Sequence, residues 1–331
     1  MNPAQVLSQA LKSSRGEKVA GLELHQLAGD ASTRRYYRAK TPEGTAILQL
    51  TEAFQGKNEF LLVQEFLAQS GIRVPKVLAY DSAAGAVLQE DVGDLTMLSA
   101  IAERGPKAYE KKSFEEALDL LVAIHERAIP SKFSGQIKPA GFALAFDEEK
   151  LMWEVNFTLE HFFQGYLQKP LSSSESGLVK ETFQKIVHEL AAQPRVYTHR
   201  DYHSRNLMVA PSGELVAIDF QDARMGLRQY DLASILRDSY YQLEEEKVYA
   251  GVDYYLNKTK ANRTDFLRHF DLMSIQRNFK ALGTFGFQAS QRKNSYYLRF
   301  VGNTFENIRR NLAKDPAHAE LARILCLRYY G

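Results

Sequence analysis

The residues best equipped for chemistry lie in His199-Arg200-Asp201-Tyr202-His203-Ser204-Arg205-Asn206 and, after a short apolar hairpin, in Ile218-Asp219-Phe220. Asp201, Asn206 and Asp219 thereby fall within 18 residues of one another. Asp201 can align a hydroxyl and accept its proton. Asn206 and Asp219 offer the oxygen ligands that magnesium prefers. Asp201 and Asn206 fit the pattern H-R-D-x-x-x-x-N letter for letter, and the second metal ligand in that scheme is an Asp after the next hairpin, which here is Asp219. Each piece alone arises by chance; together, at this spacing, they point to phosphoryl transfer. His199 reads as a buried, hydrogen-bonded loop histidine rather than a proton shuttle. His203 reads as a loop contact or an exposed residue with no catalytic part.

These residues need a scaffold, and the patterning predicts one. A short helix over Ala4 to Lys12 is followed by strands at Gly21 to Leu27, Arg35 to Ala39 and Thr45 to Leu50, the last two joined by the turn Thr41-Pro42-Glu43-Gly44. Lys57 to Gln69 repeats Phe60, Leu61, Val63, Phe66 and Leu67 at helical spacing and stops at Gly71. Strands return at Val77 to Tyr80 and Ala86 to Gln89. Beyond Asp91 helices dominate: Phe114 to Ala128, an aromatic-rich helix or helix pair over Phe146 to Leu167, and Gly177 to Ala192. The strand pair Leu207 to Val209 and Leu215 to Asp219 interrupts them, and the rest reads as helical. The expected division is a β-rich lobe over 1–90 and a helical lobe over 91–331, an α/β (α+β) arrangement.

Composition narrows the class. The 331 residues give a prior of roughly two domains or two lobes. Hydrophobic residues at 45% and charged residues at 25% exclude global disorder. The net charge of +2 argues against a polycation that coats nucleic acid. A single cysteine, Cys326, excludes an internal disulfide and a cysteine metal cluster. No apolar run approaches the roughly 18 residues that would span a bilayer, and the polar start resembles no signal peptide, so a cytoplasmic protein is the expectation.

The chain resembles the aminoglycoside phosphotransferase family, kinase-like enzymes that phosphorylate small molecules. Within that family it is most similar to the N-acetylmuramate/N-acetylglucosamine anomeric kinases of cell-wall recycling. Gly29-Asp30-Ala31-Ser32-Thr33-Arg34-Arg35-Tyr36-Tyr37-Arg38 resembles their opening loop, and Leu88-Gln89-Glu90-Asp91-Val92-Gly93-Asp94 their hinge. Ile218-Asp219-Phe220-Gln221-Asp222-Ala223-Arg224, with Tyr230-Asp231-Leu232-Ala233-Ser234, resembles their metal-binding strand and next helix. Gln276-Arg277-Asn278-Phe279-Lys280-Ala281-Leu282-Gly283 resembles a late helix. The resemblance implies a bilobal protein-kinase-like fold with ATP and Mg2+ in the cleft. The loop from Gly29, with Ser32, would then cover the phosphates, and Glu90 with the backbone at Asp91 would meet the adenine edge. Asp231 would brace the catalytic loop.

One departure stands out. Such folds place a Lys on the third strand, paired with a helix Glu. Here the strand reads Ala46-Ile47-Leu48-Gln49-Leu50, so Gln49 or a neighbour holds that position, and Glu59 lacks its Lys. Arg34 or Arg35 could supply the missing charge. The departure leaves open a nucleotide-binding pseudokinase, and the acceptor could also be choline, an aminoglycoside or another sugar.

Charge distribution bears on the acceptor. From Asn257 to Arg310 eleven basic residues face three acidic ones, a net of +8, which leaves −6 for the remainder. A basic surface in the acceptor lobe disfavours a polycation and suits a neutral or anionic sugar such as N-acetylmuramate. Asp147, Glu148, Glu149, Glu154 and Glu160 are the counter-signal. Trp153 could stack on a sugar, but its spacing with Phe157 predicts a core position. No recognition motif supports a nucleic-acid partner, nothing suggests a membrane, and the oligomeric state is left open.

Overall fold

Period-two alternation in the first ninety residues becomes a sheet, and the helical spacing around it becomes two helices with different allegiances. The computed structural model describes residues 2–17, 19–27, 34–42 and 44–331. In chain order come α1 (Pro3–Ser14), β1 (Glu23–Gln26), β2 (Arg35–Thr41), β3 (Gly44–Leu50), α2 (Glu59–Gln69), β4 (Val77–Asp81) and β5 (Ala86–Glu90). The strands form one antiparallel sheet ordered β1-β2-β3-β5-β4. Leu7, Ala10 and Leu11 of α1 pack with Ala39, Leu48 and Leu88 of the sheet in a small core. Helix α2, capped by Asn58, joins the large core instead. Its Phe60 stacks on Phe220 at 5.2 Å and its Phe66 meets Tyr197 edge-on at 5.0 Å. The five-stranded sheet ends at Glu90, but the large core does not begin there, because α2 already belongs to it.

The second part contains α3 (Met97–Arg104), α4 (Pro106–Arg127), α5 (Glu148–Thr158), α6 (Ser173–Ala191), β6 (Arg195–Thr198), β7 (Leu207–Val209), β8 (Leu215–Ala217), β9 (Arg224–Leu227), α7 (Gln229–Leu236), α8 (Glu245–Thr259), α9 (Arg263–Ser290), α10 (Val301–Leu312) and α11 (Ala319–Tyr330). Hairpin β7-β8 and the pair β6-β9 flank the loop that carries Asp201. A wholly helical stretch after Asp219 is thus corrected by β9, and β6 is its unforeseen partner. Gly226 hides the strand character of β9 in the sequence. It is there because a Cβ at that point would stand 2.7 Å from the Phe146 ring.

The aromatic-rich stretch over Phe146 to Leu167 is α5 followed by a π-helical segment, Leu159–Tyr166. Helix α9 lies close against both: a Cβ on Gly283 would meet Thr158 Oγ1 at 2.5 Å, and one on Gly286 the His161 carbonyl at 2.5 Å. Thr158 donates to the Phe279 carbonyl across this seam at 2.9 Å. Trp153 corrects the expectation of a core residue. It is 53% exposed, stacked on Phe157, with Lys150 Nζ 3.8 Å above its ring. Among the described residues, no helix is long and apolar enough to cross a membrane.

Candidate active site

A loop can hold a reactive carboxylate in place only if its own backbone is held. In the catalytic-loop candidate that work falls to Asp231 of α7, which is fully buried. The amide of His199 donates to its Oδ2 at 2.6 Å, and the amide of Arg200 to its Oδ1 at 2.9 Å. His125 Nε2 stands 3.6 Å from the same carboxylate, and its Nδ1 is 2.8 Å from the Tyr255 hydroxyl. Farther along, the Tyr202 hydroxyl donates to the Ala117 carbonyl, and the Ser204 amide to Asp238. Arg200 adopts φ +81°, which an L-residue tolerates only when surrounding bonds enforce it. His199 is buried, as expected, but its ring nitrogens have no hydrogen-bond partner. Its contribution to the loop is its backbone amide and an edge-on contact with Tyr202.

Asp201, at the tip of this loop, is surrounded by cations. Lys280 Nζ is 3.3 Å from its Oδ1, Arg277 Nη2 3.6 Å from the same oxygen, and Arg200 Nε 3.9 Å from its Oδ2. Burial alone would raise the carboxyl, but Lys280, Arg200 and Arg277 outweigh it and hold Asp201 well below the usual carboxylate range. Asp201 is thus an ionised acceptor at neutral pH, able to orient a hydroxyl. His203 is pushed down to about 3 by burial, against the pull of Asp201, and so stands neutral. Arg200 is the neighbour of Asp201 in the H-R-D pattern, but no local pattern marks Arg277 and Lys280 as its partners, since they come from a helix nearly eighty positions downstream.

Asn206 and Asp219 meet through the backbone. The Ile218 amide donates to the Asn206 carbonyl at 3.0 Å, so the residue next to Asp219 is hydrogen-bonded to Asn206. Asn206 spends its amide nitrogen on the Asp201 carbonyl at 3.0 Å, which leaves the amide oxygen to meet a cation. Asp219 is not in the strand, which ends at Ala217. It lies two residues beyond, at φ +63°, with its side chain half exposed. One carboxylate and one amide oxygen suit magnesium, which keeps several sites for water and phosphate. No cluster of three or more His, Cys, Asp or Glu capable of closing around a metal occurs among the described residues.

The sheet contributes the other wall. Arg34 Nη1 stands 3.9 Å from Asp219. Tyr36 is paired directly opposite Gln49 across β2 and β3, and directly opposed residues share a face. Burial raises Tyr36, with Arg34 opposing and Asp219 adding to the rise, which places it in their company. Gln49 is 1% exposed, and neither its nitrogen nor its oxygen has a partner. A buried carboxamide without partners is rare unless something else completes it. Glu59 is turned elsewhere. It accepts from the backbone of Ala140 and Gly141, and burial raises its pKa against those bonds. Gly29 and Ser32 lie outside the described residues.

At the hinge the carboxylates are already engaged. Glu90 receives Arg73 through Nη1 and Nη2 at 2.9 and 2.6 Å. Asp91 receives Arg38 through Nε and Nη2 at 2.7 and 3.0 Å. The side chains of Glu90 and Asp91, expected at the adenine edge, are thus committed to arginines. Val92, Met208, Ala210 and Val216, with Ile218, form an apolar cluster next to the hinge that no sequence motif announces.

Residues 23–266 match the phosphotransferase enzyme family. The chain is 32% identical over 268 residues to a protein of Neisseria meningitidis named N-acetylmuramate/N-acetylglucosamine kinase, covering 78% of this chain and 76% of that one. A protein of the same name from Pseudomonas aeruginosa is 29% identical over 316 residues, covering 93% and 89%. Among solved structures, a choline/ethanolamine kinase family protein from Mesorhizobium loti superposes with a TM-score of 0.62 at 15% identity, covering 99% of this chain and 100% of that one. That likeness places the molecule in the protein-kinase-like fold.

Proposed function

The chain belongs to the phosphotransferase enzyme family, and on that premise we propose that it transfers the γ-phosphoryl group of ATP to the anomeric hydroxyl of N-acetylmuramate or N-acetylglucosamine. It is a kinase of the family that acts on a sugar hydroxyl; the choice of sugar and of hydroxyl is the proposal. The observation that carries the chemistry is Asp201, ionised beside Lys280, on a loop tied down by Asp231. Asp201 accepts the hydrogen bond of the attacking hydroxyl and fixes its line of approach. Because its pKa is held low, it orients the nucleophile and takes the proton late, which suits a loose phosphoryl transition state. Positioning of this kind supplies much of the rate in such reactions.

Asn206 and Asp219 would hold magnesium, which when bound offsets the charge of the phosphates. Gln49, with Tyr36 and Arg34 beside it, faces the same region and gives the phosphates a neutral hydrogen-bonding partner where a Lys would otherwise stand. The base would rest on Met208 and Ile218 and read the hinge backbone. The abundance of ATP in the cytoplasm makes that the expected place of work. The test is a phosphorylation assay with both sugars, followed by identification of the phosphorylated carbon. Phosphate on the anomeric oxygen supports the reading; inertness toward both sugars, with ATP consumed on choline or an aminoglycoside, overturns it.

A further inference from the structure

Beside Asp201 lies a partly enclosed cavity of about 60 Å3, whose lining includes neither Asn206 nor Asp219. Its walls come from the catalytic loop, from the end of α7 and the turn after it, and from α9; no residue of the sheet lines it. Arg277, Lys280, Ala281 and Thr284 line one wall at the spacing that puts them on one face of α9. The cavity has room for a few waters or one small substituent, but not for a sugar ring.

The charges that act on Lys280 are mostly of its own sign or shared. Arg277 and Arg200 stand beside it, with Asp201 and Glu154 opposite. Asp238, also in the lining, is spent on the amides of Ser204 and Tyr240, and burial pushes it toward its neutral form. Arg237 is paired with Glu245 through both terminal nitrogens, and its Nε, 2% exposed with the rest of the residue, has no partner; nor has Nδ1 of His203. Arg277 and Lys280 face the same oxygen of one carboxylate, Asp201 Oδ1, and two buried cations on a single oxygen favour the arrival of a second anion. Of the other nine basic residues in the stretch, Lys258, Arg263, Arg268, Arg309 and Arg310 pair with surface carboxylates, while Lys293 and Arg299 donate to backbone carbonyls and Arg292 lies over the Phe287 ring.

We propose that Lys280, with Arg277 one helical turn before it, forms a subsite for a carboxylate carried on a short arm of the acceptor sugar, and so sets the enzyme's preference for an acidic over a neutral amino sugar. The arm enters the cavity while the ring stays outside, with its reacting hydroxyl at Asp201. Lys280 then bridges two carboxylates, that of Asp201 and that of the substrate, and the apolar faces of Tyr240 and Phe285 are available to a methyl group on the arm. The inference rests on the sugar-kinase reading above. The alternative source of the anion is the phosphate of ATP, and a lining drawn from no residue of the sheet favours the acceptor.

The test compares wild type, Lys280→Met, Lys280→Gln and Lys280→Arg on N-acetylmuramate and N-acetylglucosamine, by kcat/KM for each sugar and by calorimetric binding of each sugar. Circular dichroism identifies which variants are folded. The Met and Gln variants are expected to lose about ten-fold or more in the ratio of N-acetylmuramate to N-acetylglucosamine kcat/KM, mainly through the KM of the acidic sugar, and the Arg variant to restore it. An unchanged ratio, with both sugars slowed alike or the KM for ATP raised, overturns the subsite. Should wild type phosphorylate neither sugar, the functional reading falls on its own. The calorimetric arm then still decides the subsite, by whether wild type favours the acidic sugar and Lys280→Met does not.

Discussion

At the scale of single residues, the balance around Asp201 decides what the loop can do. Three cations within 4.0 Å keep it ionised, so its value lies in direction rather than basicity. Replacing it with Asn keeps the shape and removes the charge. Asp201→Asn is expected to lower kcat by about a hundred- to ten-thousand-fold with ATP binding retained, which steady-state rates and nucleotide titration will measure. Near-native turnover would remove Asp201 from the mechanism. Lys280 gives a second expectation. Burial pulls it down to about 8, with Asp201 and Glu154 opposing and Arg277 and Arg200 adding to the fall. In the free enzyme it therefore loses its charge near pH 8 instead of above 10. Since kcat/KM reports the free enzyme, preference for N-acetylmuramate over N-acetylglucosamine should decline from about pH 7 to about pH 9. A flat ratio across that range would deny Lys280 this part.

At the scale of elements, α7 and α9 matter more than the loop they support. Asp231 sits in the first turn of α7 and holds two backbone amides of the catalytic loop from a fully buried position. Asp231→Ala strands both donors, at a cost of about 2–4 kcal/mol seen in denaturant unfolding, together with loss of activity. A variant as stable as wild type would mean that the loop finds its shape elsewhere. Helix α9 brings Arg277 and Lys280 to Asp201 only because Gly283 and Gly286 let it sit directly on α5 and the π-helical segment. The helix itself was legible in the sequence, and so was its basic character. Its depth was not: 15 of its 28 residues are buried, so that Arg277 and Lys280 face inward to Asp201 while other basic residues of the stretch stay at the surface.

At the scale of the molecule, two arginine clusters fasten the sheet to the helical part. Arg38 of β2 reaches Asp91 and Asp94, and Arg73 joins Glu90 to Glu214 of the β7-β8 turn. Networks with bidentate arginine hold more than isolated surface pairs. Arg38→Ala should loosen the sheet relative to the hinge, raising the KM for ATP several-fold while leaving the KM for the sugar near its wild-type value. Equal changes in both would show that the cluster serves general stability only. Helix α2 works in the same direction, since its apolar face belongs to the large core.

What the sequence determined was local. The spacing of Asp201, Asn206 and Asp219, the alternation of the strands and the periodicity of the helices are all written within short stretches of at most about 20 residues, where patterning and chemistry act directly. The tertiary structure alone decided how separated charges pair. It turned Glu59 toward the backbone at Gly141 and took the carboxylates of Glu90 and Asp91 for arginines. It left Gln49 buried without a partner, brought Trp153 to the surface, and delivered Lys280 to Asp201. The energy of a buried charge depends on everything within a few ångströms, and those neighbours come from parts of the chain that no local pattern connects.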